Sequence, residues 1–221
     1  MLPVRASPRA NPSPSGLGIP FLKWAGATVV CIASGPSLSA EDCDSVRLWR
    51  DASPADRKAV VVNTSFRAAP WADALFAMDI PWWHHHIKEI RESFHGEPCS
   101  SSPHALRYGV RIIGSGWNPY GNSGAGAIRL ACCAGATRVL LIGYDCKPRG
   151  AQIHWHADHP KPLGNAGSMM KWAGQFAKLR DALTGVEIIN CSRDTALTAF
   201  SRGDLGQELS RSATPHEAAQ T

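Results

Sequence analysis

The sequence predicts a doubly wound, mostly parallel α/β fold of the Rossmann-like type in one domain. Short runs of β-branched and apolar residues recur along the chain, and stretches with helical spacing separate them. The runs are apolar at successive positions instead of alternating, so each strand would be buried on both faces, as in a parallel sheet covered by helices. At 221 residues the chain is long enough to bury a sizeable core in one domain.

Taken in order, "MLPVRASPRANPSPSG" is rich in Pro, Ser and Arg and lacks the apolar core of a signal peptide, so residues 1–26 read as a disordered leader. "TVVCIAS" (28–34) is the first strand, ending at Gly35, and "SAEDCDSVRLWRDA" (39–52) follows as a helix that Ser39 and Asp42 can start. "AVVVNTS" (59–65) is the second strand and "DALFAMDI" (73–80) a weaker third. "PWWHHHIKEIRESF" (81–94) is a helix opened by Pro81. "ALRYGVRII" (105–113) is a further strand candidate. "NSGAGAIRLACCAGA" (122–136) is a helix of small residues with an Asn or Ser cap, and "RVLLIGYD" (138–145) is the clearest strand. A histidine-rich loop, "IHWHADHP" (153–160), precedes the helical pattern "AGSMMKWAGQFAKLRDAL" (166–183), and "VEIINCS" (186–192) closes the series. The folded domain is thus expected over 27–205, with 206–221 as a flexible tail.

Composition narrows the classes. Seven cysteines, an odd number with no Cys-x-x-Cys pair, indicate neither a disulfide framework nor a zinc ribbon and fit a reduced, cytoplasmic setting. No apolar run approaches the roughly 20 residues of a membrane span. A net charge of +5 favours anionic ligands such as phosphates and nucleotides. The basic residues are scattered, which argues against docking on nucleic acid. A homo-oligomer is compatible with all of this.

In such sheets ligands bind beyond the carboxyl ends of the strands, so the strand-end residues are the candidates. "SGPSL" (34–38) sets a flexible Gly35 and the hydroxyls of Ser34 and Ser37 at a helix N-terminus, a recipe for holding an anion; a plain structural turn is the alternative. Asn63 offers a carboxamide that can read a base edge or a ribose hydroxyl, or simply form a turn. Asp79 and Asp145, with Tyr144 beside the latter, could hold substrate or sugar hydroxyls, and the two carboxylates are where a Mg²⁺ ion would bind; either could instead cap a loop. Ser123 and Gly124 open a helix with side chains small enough for a ligand to reach backbone N–H groups, or for the helix to pack tightly.

His154, His156 and His159 with Asp158 have neither the His-Glu-x-x-His nor the Cys/His-finger spacing of zinc sites. A histidine as general base, its tautomer fixed by the adjacent aspartate, is the chemical alternative to a solvated loop. In "WWHHHIK" (82–88) three successive histidines of a helix face different directions and cannot share an ion. Trp82 and Trp83 read as core residues.

The ordered set "SGPSL", "VVVNTSF", "GNSGAGAIRLACCAGATRVLLIGYD" and a His-bearing loop resembles the superfamily that joins bacterial family 42 sialyltransferases with the 6-hydroxymethylpterin diphosphokinase-like proteins, including phage and prophage members. The similarity spans about residues 27–200. It implies that Ser34, Gly35, Pro36, Ser37, Asn63, Ser123 and Gly124 bind a nucleotide. It further implies that one of His154, His156 and His159 takes the proton of an acceptor hydroxyl. Ser34 stands where that family has an asparagine. "DCD" (42–44) resembles the Asp-x-Asp of metal-dependent glycosyltransferases but falls inside a predicted helix.

The expectation is a nucleotide-dependent, glycosyltransferase-like enzyme with a nucleotide or nucleotide-sugar donor and a small or glycan acceptor. No cofactor is required by it. The alternatives are a Mg²⁺-dependent diphosphokinase acting on a hydroxymethyl heterocycle and a non-catalytic nucleotide-binding protein.

Overall fold

The apolar runs become strands β1 (Thr28–Ile32), β2 (Arg57–Val62), β3 (Ala74–Phe76), β4 (Glu97–Ser100), β5 (Arg111–Ile112), β6 (Arg138–Ile142), β7 (Glu187–Asn190) and β8 (Ser201–Arg202). The computed structural model describes residues 21–113, 121–157, 159–160, 163–164 and 167–211. All eight described strands pair in parallel, in the order β5-β4-β3-β2-β1-β6-β7-β8. The chain winds outward from β1 to β5, returns to the far side of β1 as β6, and winds outward again. Order therefore reverses between β1 and β6, the place where sheets of this kind bind their ligands in a crevice.

Helices α1 (Ala40–Ala52), α2 (Ile80–Ser93), α3 (Ser123–Cys133), α4 (Met169–Ala182) and α5 (Leu205–Arg211) cover both faces. Val29, Cys31, Val139 and Leu141 point to the side of α3 and α4, and Val30, Ile32, Leu140 and Ile142 to the side of α1, α2 and α5. Both sets are buried, which is why the sequence shows unbroken apolar runs. Ala125, Ala127 and Ala131 let α3 lie close over β1, β2, β3 and β6, so its N-terminus reaches the crevice. As expected, Ser39 caps α1, its hydroxyl accepting from the Asp42 amide at 3.1 Å. Trp83 is fully buried under α2, and its indole N–H donates to the Ala77 carbonyl at 3.0 Å.

Several boundaries differ from the sequence reading. Over "ALRYGVRII", Pro103–Tyr108 is a 3₁₀ helix ended by Gly109 at φ 76°, and only Arg111–Ile112 pair as a strand. β4 escapes a pattern search because it is short and carries Pro98; the missing donor is tolerated since β5 pairs only with Cys99 and Ser100, beyond it. The end of the expected leader is ordered. Leu22 and Trp24 are buried, and the Trp24 amide donates to Ala134 at 2.7 Å. The expected tail begins as α5, whose Leu209 is buried and whose Glu208 pairs with Arg138 at the start of β6. An ion pair between residues far apart in sequence leaves no local pattern to read. Residues 1–20 and 212–221 lie outside the described residues. Among those described, no helix is long and apolar enough to cross a membrane.

Trp83→Ala is expected to lower unfolding free energy by about 3–5 kcal/mol in urea titration. Leu48→Ala, at an exposed site of α1, should change it by less than about 0.5 kcal/mol.

Candidate functional site

The crevice is built by two backbones that approach closely. The Ala33 amide donates to Ile142 at 2.9 Å and the Gly35 amide to Gly143 at 2.7 Å, carrying the β1–β6 ladder into both loops. A Cβ on Gly35 would lie 2.2 Å from Asp145 Oδ1 and 2.5 Å from the Gly143 carbonyl, so only glycine fits. Asp145 then locks the turn. Its Oδ2 accepts from the Ser37 amide at 2.7 Å and its Oδ1 from the Ser37 hydroxyl at 2.8 Å. Burial raises the Asp145 pKa above the ordinary carboxylate value while the two Ser37 bonds pull it back.

Asn63 leaves the end of β2 with φ 49°, a left-handed backbone that asparagine tolerates better than most residues. Its carboxamide oxygen is buried and has no hydrogen-bond partner among the described residues. Such an atom costs free energy until something donates to it. Opposite stands the N-terminus of α3. Asn122 caps it, accepting from the Ala125 amide at 2.7 Å and donating to Gln175 on α4 at 2.8 Å. The Ser123 hydroxyl accepts from the Met78 amide at 3.3 Å, tying α3 to the chain after β3. Gly124 packs tightly, since a Cβ there would lie 3.1 Å from the Tyr144 ring. The first amides of a helix have no intrahelical acceptor and carry partial positive charge, so this end of α3 attracts anions.

These elements form a partly open cavity of about 110 Å³, lined by Ser34, Asn63, Ser123 and His154, with Trp172 and Phe176 of α4 as its apolar wall. The histidine-rich loop is anchored over it by the Trp155 amide, which donates to the Ser34 carbonyl at 3.2 Å. That bond sets His154 at the mouth. The His154 and His156 rings stack with centroids 5.0 Å apart, and His159 lies 5.4 Å from the first and 4.9 Å from the second. His156 Nδ1 donates to the Ala157 carbonyl at 2.6 Å. Burial above all, then the neighbouring imidazoles and Arg67, lowers the His159 pKa to about 4, so this ring is neutral at neutral pH. Asp158, the expected orienting carboxylate, lies outside the described residues. A second cleft of about 390 Å³ adjoins the first and shares Asn63, Ser123, His154 and Trp172 with it; Asp79 and Trp82 also line it.

The structure thus gathers Ser34, Gly35, Pro36, Asn63, Ser123, Gly124 and His154 around one cavity. Others stand differently. Ser37 is buried with both its donors committed to Asp145. Tyr144 is buried, its hydroxyl donating to the Gly124 carbonyl at 3.1 Å and its ring against Phe176. Tyr144 and Asp145 also line the cavity, but their polar groups are engaged with Gly124 and Ser37. Asp79 sits at the rim of the second cleft, where desolvation raises its pKa. Asp145 lines the first cavity and Asp79 the second, and among the described residues no three metal-ligating side chains gather. The Asp-x-Asp of α1 is structural on one side, with Asp42 held by Arg193 at 2.8 and 2.9 Å. Sequence reasoning missed Trp172, Phe176 and Asn122 as lining residues. Helical periodicity marks the buried face of α4 but not the strand end it overhangs, and Asn122 registers only as a cap.

Asp145→Ala is expected to cost about 2–4 kcal/mol in urea unfolding, because it orphans two buried donors of Ser37. Ser37→Ala, which keeps the amide bond, should cost about 1 kcal/mol.

The sequence matches no protein-family model and no curated protein. Solved structures share its fold. The MAf glycosyltransferase from Magnetospirillum magneticum AMB-1 superposes with a TM-score of 0.56 at 11% identity over 83% of this chain and 34% of that one. This chain spans about a third of that protein's length. The sialyltransferase CstII from Campylobacter jejuni, in complex with a substrate analogue, cytidine-5'-monophosphate, superposes with a TM-score of 0.54 at 13% identity over 80% of this chain and 85% of that one. At these identities the likeness is one of fold, and the chain has a glycosyltransferase-like, Rossmann-like α/β fold.

Proposed function

We propose that the protein is a nucleotide-dependent glycosyltransferase whose donor nucleotide lies in the cavity between the Gly35 turn, Asn63 and the N-terminus of α3. The observation that carries this reading is Asn63: a left-handed, cavity-lining residue whose buried carboxamide oxygen has no partner among the described residues, beside a helix N-terminus that lines the same cavity. The oxygen suits a base amine or ribose hydroxyl, and the helix end suits a phosphate. The cytidine nucleotide in the CstII complex gives the first ligand to try.

The second cleft is the acceptor's place, and His154, lining both, is the base. A neutral His154 takes the proton of an acceptor hydroxyl as its oxygen attacks the anomeric carbon. The bond from that carbon to the donor phosphate breaks, and the electron pair passes to a phosphate oxygen, where the α3 amides stabilise it. No covalent enzyme intermediate is needed.

Asn63→Gly keeps the left-handed backbone and deletes only the carboxamide, so it isolates the proposed contact. It is expected to weaken cytidine monophosphate binding about tenfold by calorimetry, a loss of about 1.4 kcal/mol. If no nucleotide or nucleotide sugar raised the thermal midpoint of the intact chain, the cavity would be misread.

His154→Ala is expected to slow transfer from a nucleotide sugar by about 10²–10⁴-fold while leaving nucleotide affinity within about threefold. Transfer at an undiminished rate would remove His154 from the chemistry. Nucleotide binding with no turnover on any acceptor would make the chain a binding protein.

A further inference from the structure

Helical geometry sends His84 and His85 to solvent and turns His86 inward, where it is 2% exposed. Its ring lies between Phe66 and Trp82, at centroid distances of 6.0 and 4.7 Å. Neither ring nitrogen has a hydrogen-bond partner among the described residues. The nearest carboxylate oxygen, Glu89 Oε2, is 3.6 Å from Nδ1, and Glu89 is already engaged by Arg67 at 2.6 and 2.7 Å. On its remaining side His86 meets His159 edge to face, with centroids 6.2 Å apart. His159 in turn touches His154 and His156. A continuous file of imidazoles therefore runs from the buried face of α2 to the mouth of the cavity.

We propose that His86 is a positioning residue: as a neutral, buried imidazole it seats His159, and through it His154, over the nucleotide cavity, and protonation of either ring of the pair unseats them. This rests on the reading of His154 as the base.

A proton on His86 would enter an aromatic cage that faces the Arg67 guanidinium and His85, and among the described residues the shared Glu89 is the carboxylate that attracts it. A proton on His159 would face His86, His154, His156 and Arg67. Burial first, then these positive neighbours, lowers both rings from 6.5 to about 4. Unfolded imidazoles take up protons near 6.5, so the seated arrangement is fully stable above that pH. Its stability is lost as the pH falls from 6.5 toward 4.

The test is histidine NMR on the full chain, following the Cε1–H signals from pH 7.5 to 3.5, a range of about four units around the ordinary imidazole value. His86 and His159 are expected to titrate near 4. His86→Ala, with folding checked by circular dichroism, should raise the His159 midpoint by about one pH unit, since a coupled neighbour and its burial are lost. Should that core variant fail to fold, His159→Ala on the loop should raise the His86 midpoint by a similar amount. With a transfer assay in hand, His86→Phe should lower kcat about tenfold at unchanged donor KM and shift the acid limb of the pH profile. A His159 midpoint near 6.5 in the unaltered protein, or midpoints unmoved by either substitution, would overturn the proposal. The NMR measurement needs no substrate, so its failure is separate from that of the transferase reading, which His154→Ala decides.

Discussion

The whole site hangs on the contact between the turn after β1 and the loop after β6. Two parallel strands that are neighbours in space continue past the sheet edge as hydrogen-bonded loops, and the Asp145 carboxylate closes the gap by taking both donors of Ser37. Gly35 permits it, because any side chain there would occupy the carboxylate's own space. With this turn fixed, Ser34 presents its carbonyl to Trp155, and the histidine loop acquires its anchor. The turn and the histidine loop, on two sides of the cavity, are thus both set by one buried carboxylate.

The opposite wall is fixed by independent means. Asn122 joins the start of α3 to α4, Ser123 joins it to the chain after β3, and Tyr144 ties its first turn back to the loop after β6. Two strand ends and helix α4 therefore position one helix terminus. Catalytic power of the electrostatic kind depends on such rigidity, since dipoles that need not reorient stabilise developing charge at little further cost. Asn63 belongs to the same logic, its backbone held in a sparsely populated region before any ligand arrives.

Much of the fold was legible because buried parallel strands write continuous apolar runs, and β1, β2, β6 and β7 do so. The caps Ser39 and Asn122 were equally plain, being local chemistry. What stayed hidden was set by long-range partners. β4 and β8 are too short or too irregular to show a period, and α5 owes its place to Arg138 and a buried Leu209. In the site, strand-end position correctly marked Ser34, Asn63, Ser123 and His154 as cavity-lining. It could not tell that Asp145 and Tyr144, which also line the cavity, spend their polar groups on Ser37 and Gly124, because those partners are far away in sequence. His86 was indistinguishable from its two neighbours until the helix face was known.

The Ser37 and Asp145 that meet in the turn are separated by 108 positions. During synthesis the first half of the sheet, β1 to β5, emerges before its central neighbour β6 exists. Throughout that interval β1, with Val29, Val30, Cys31 and Ile32 unpartnered on one side, is an open apolar strand edge, the feature that most readily recruits foreign strands. The strand that anchors the site in the finished protein is therefore the growing chain's point of greatest exposure to aggregation, and protection arrives only when residues 138–142 leave the ribosome.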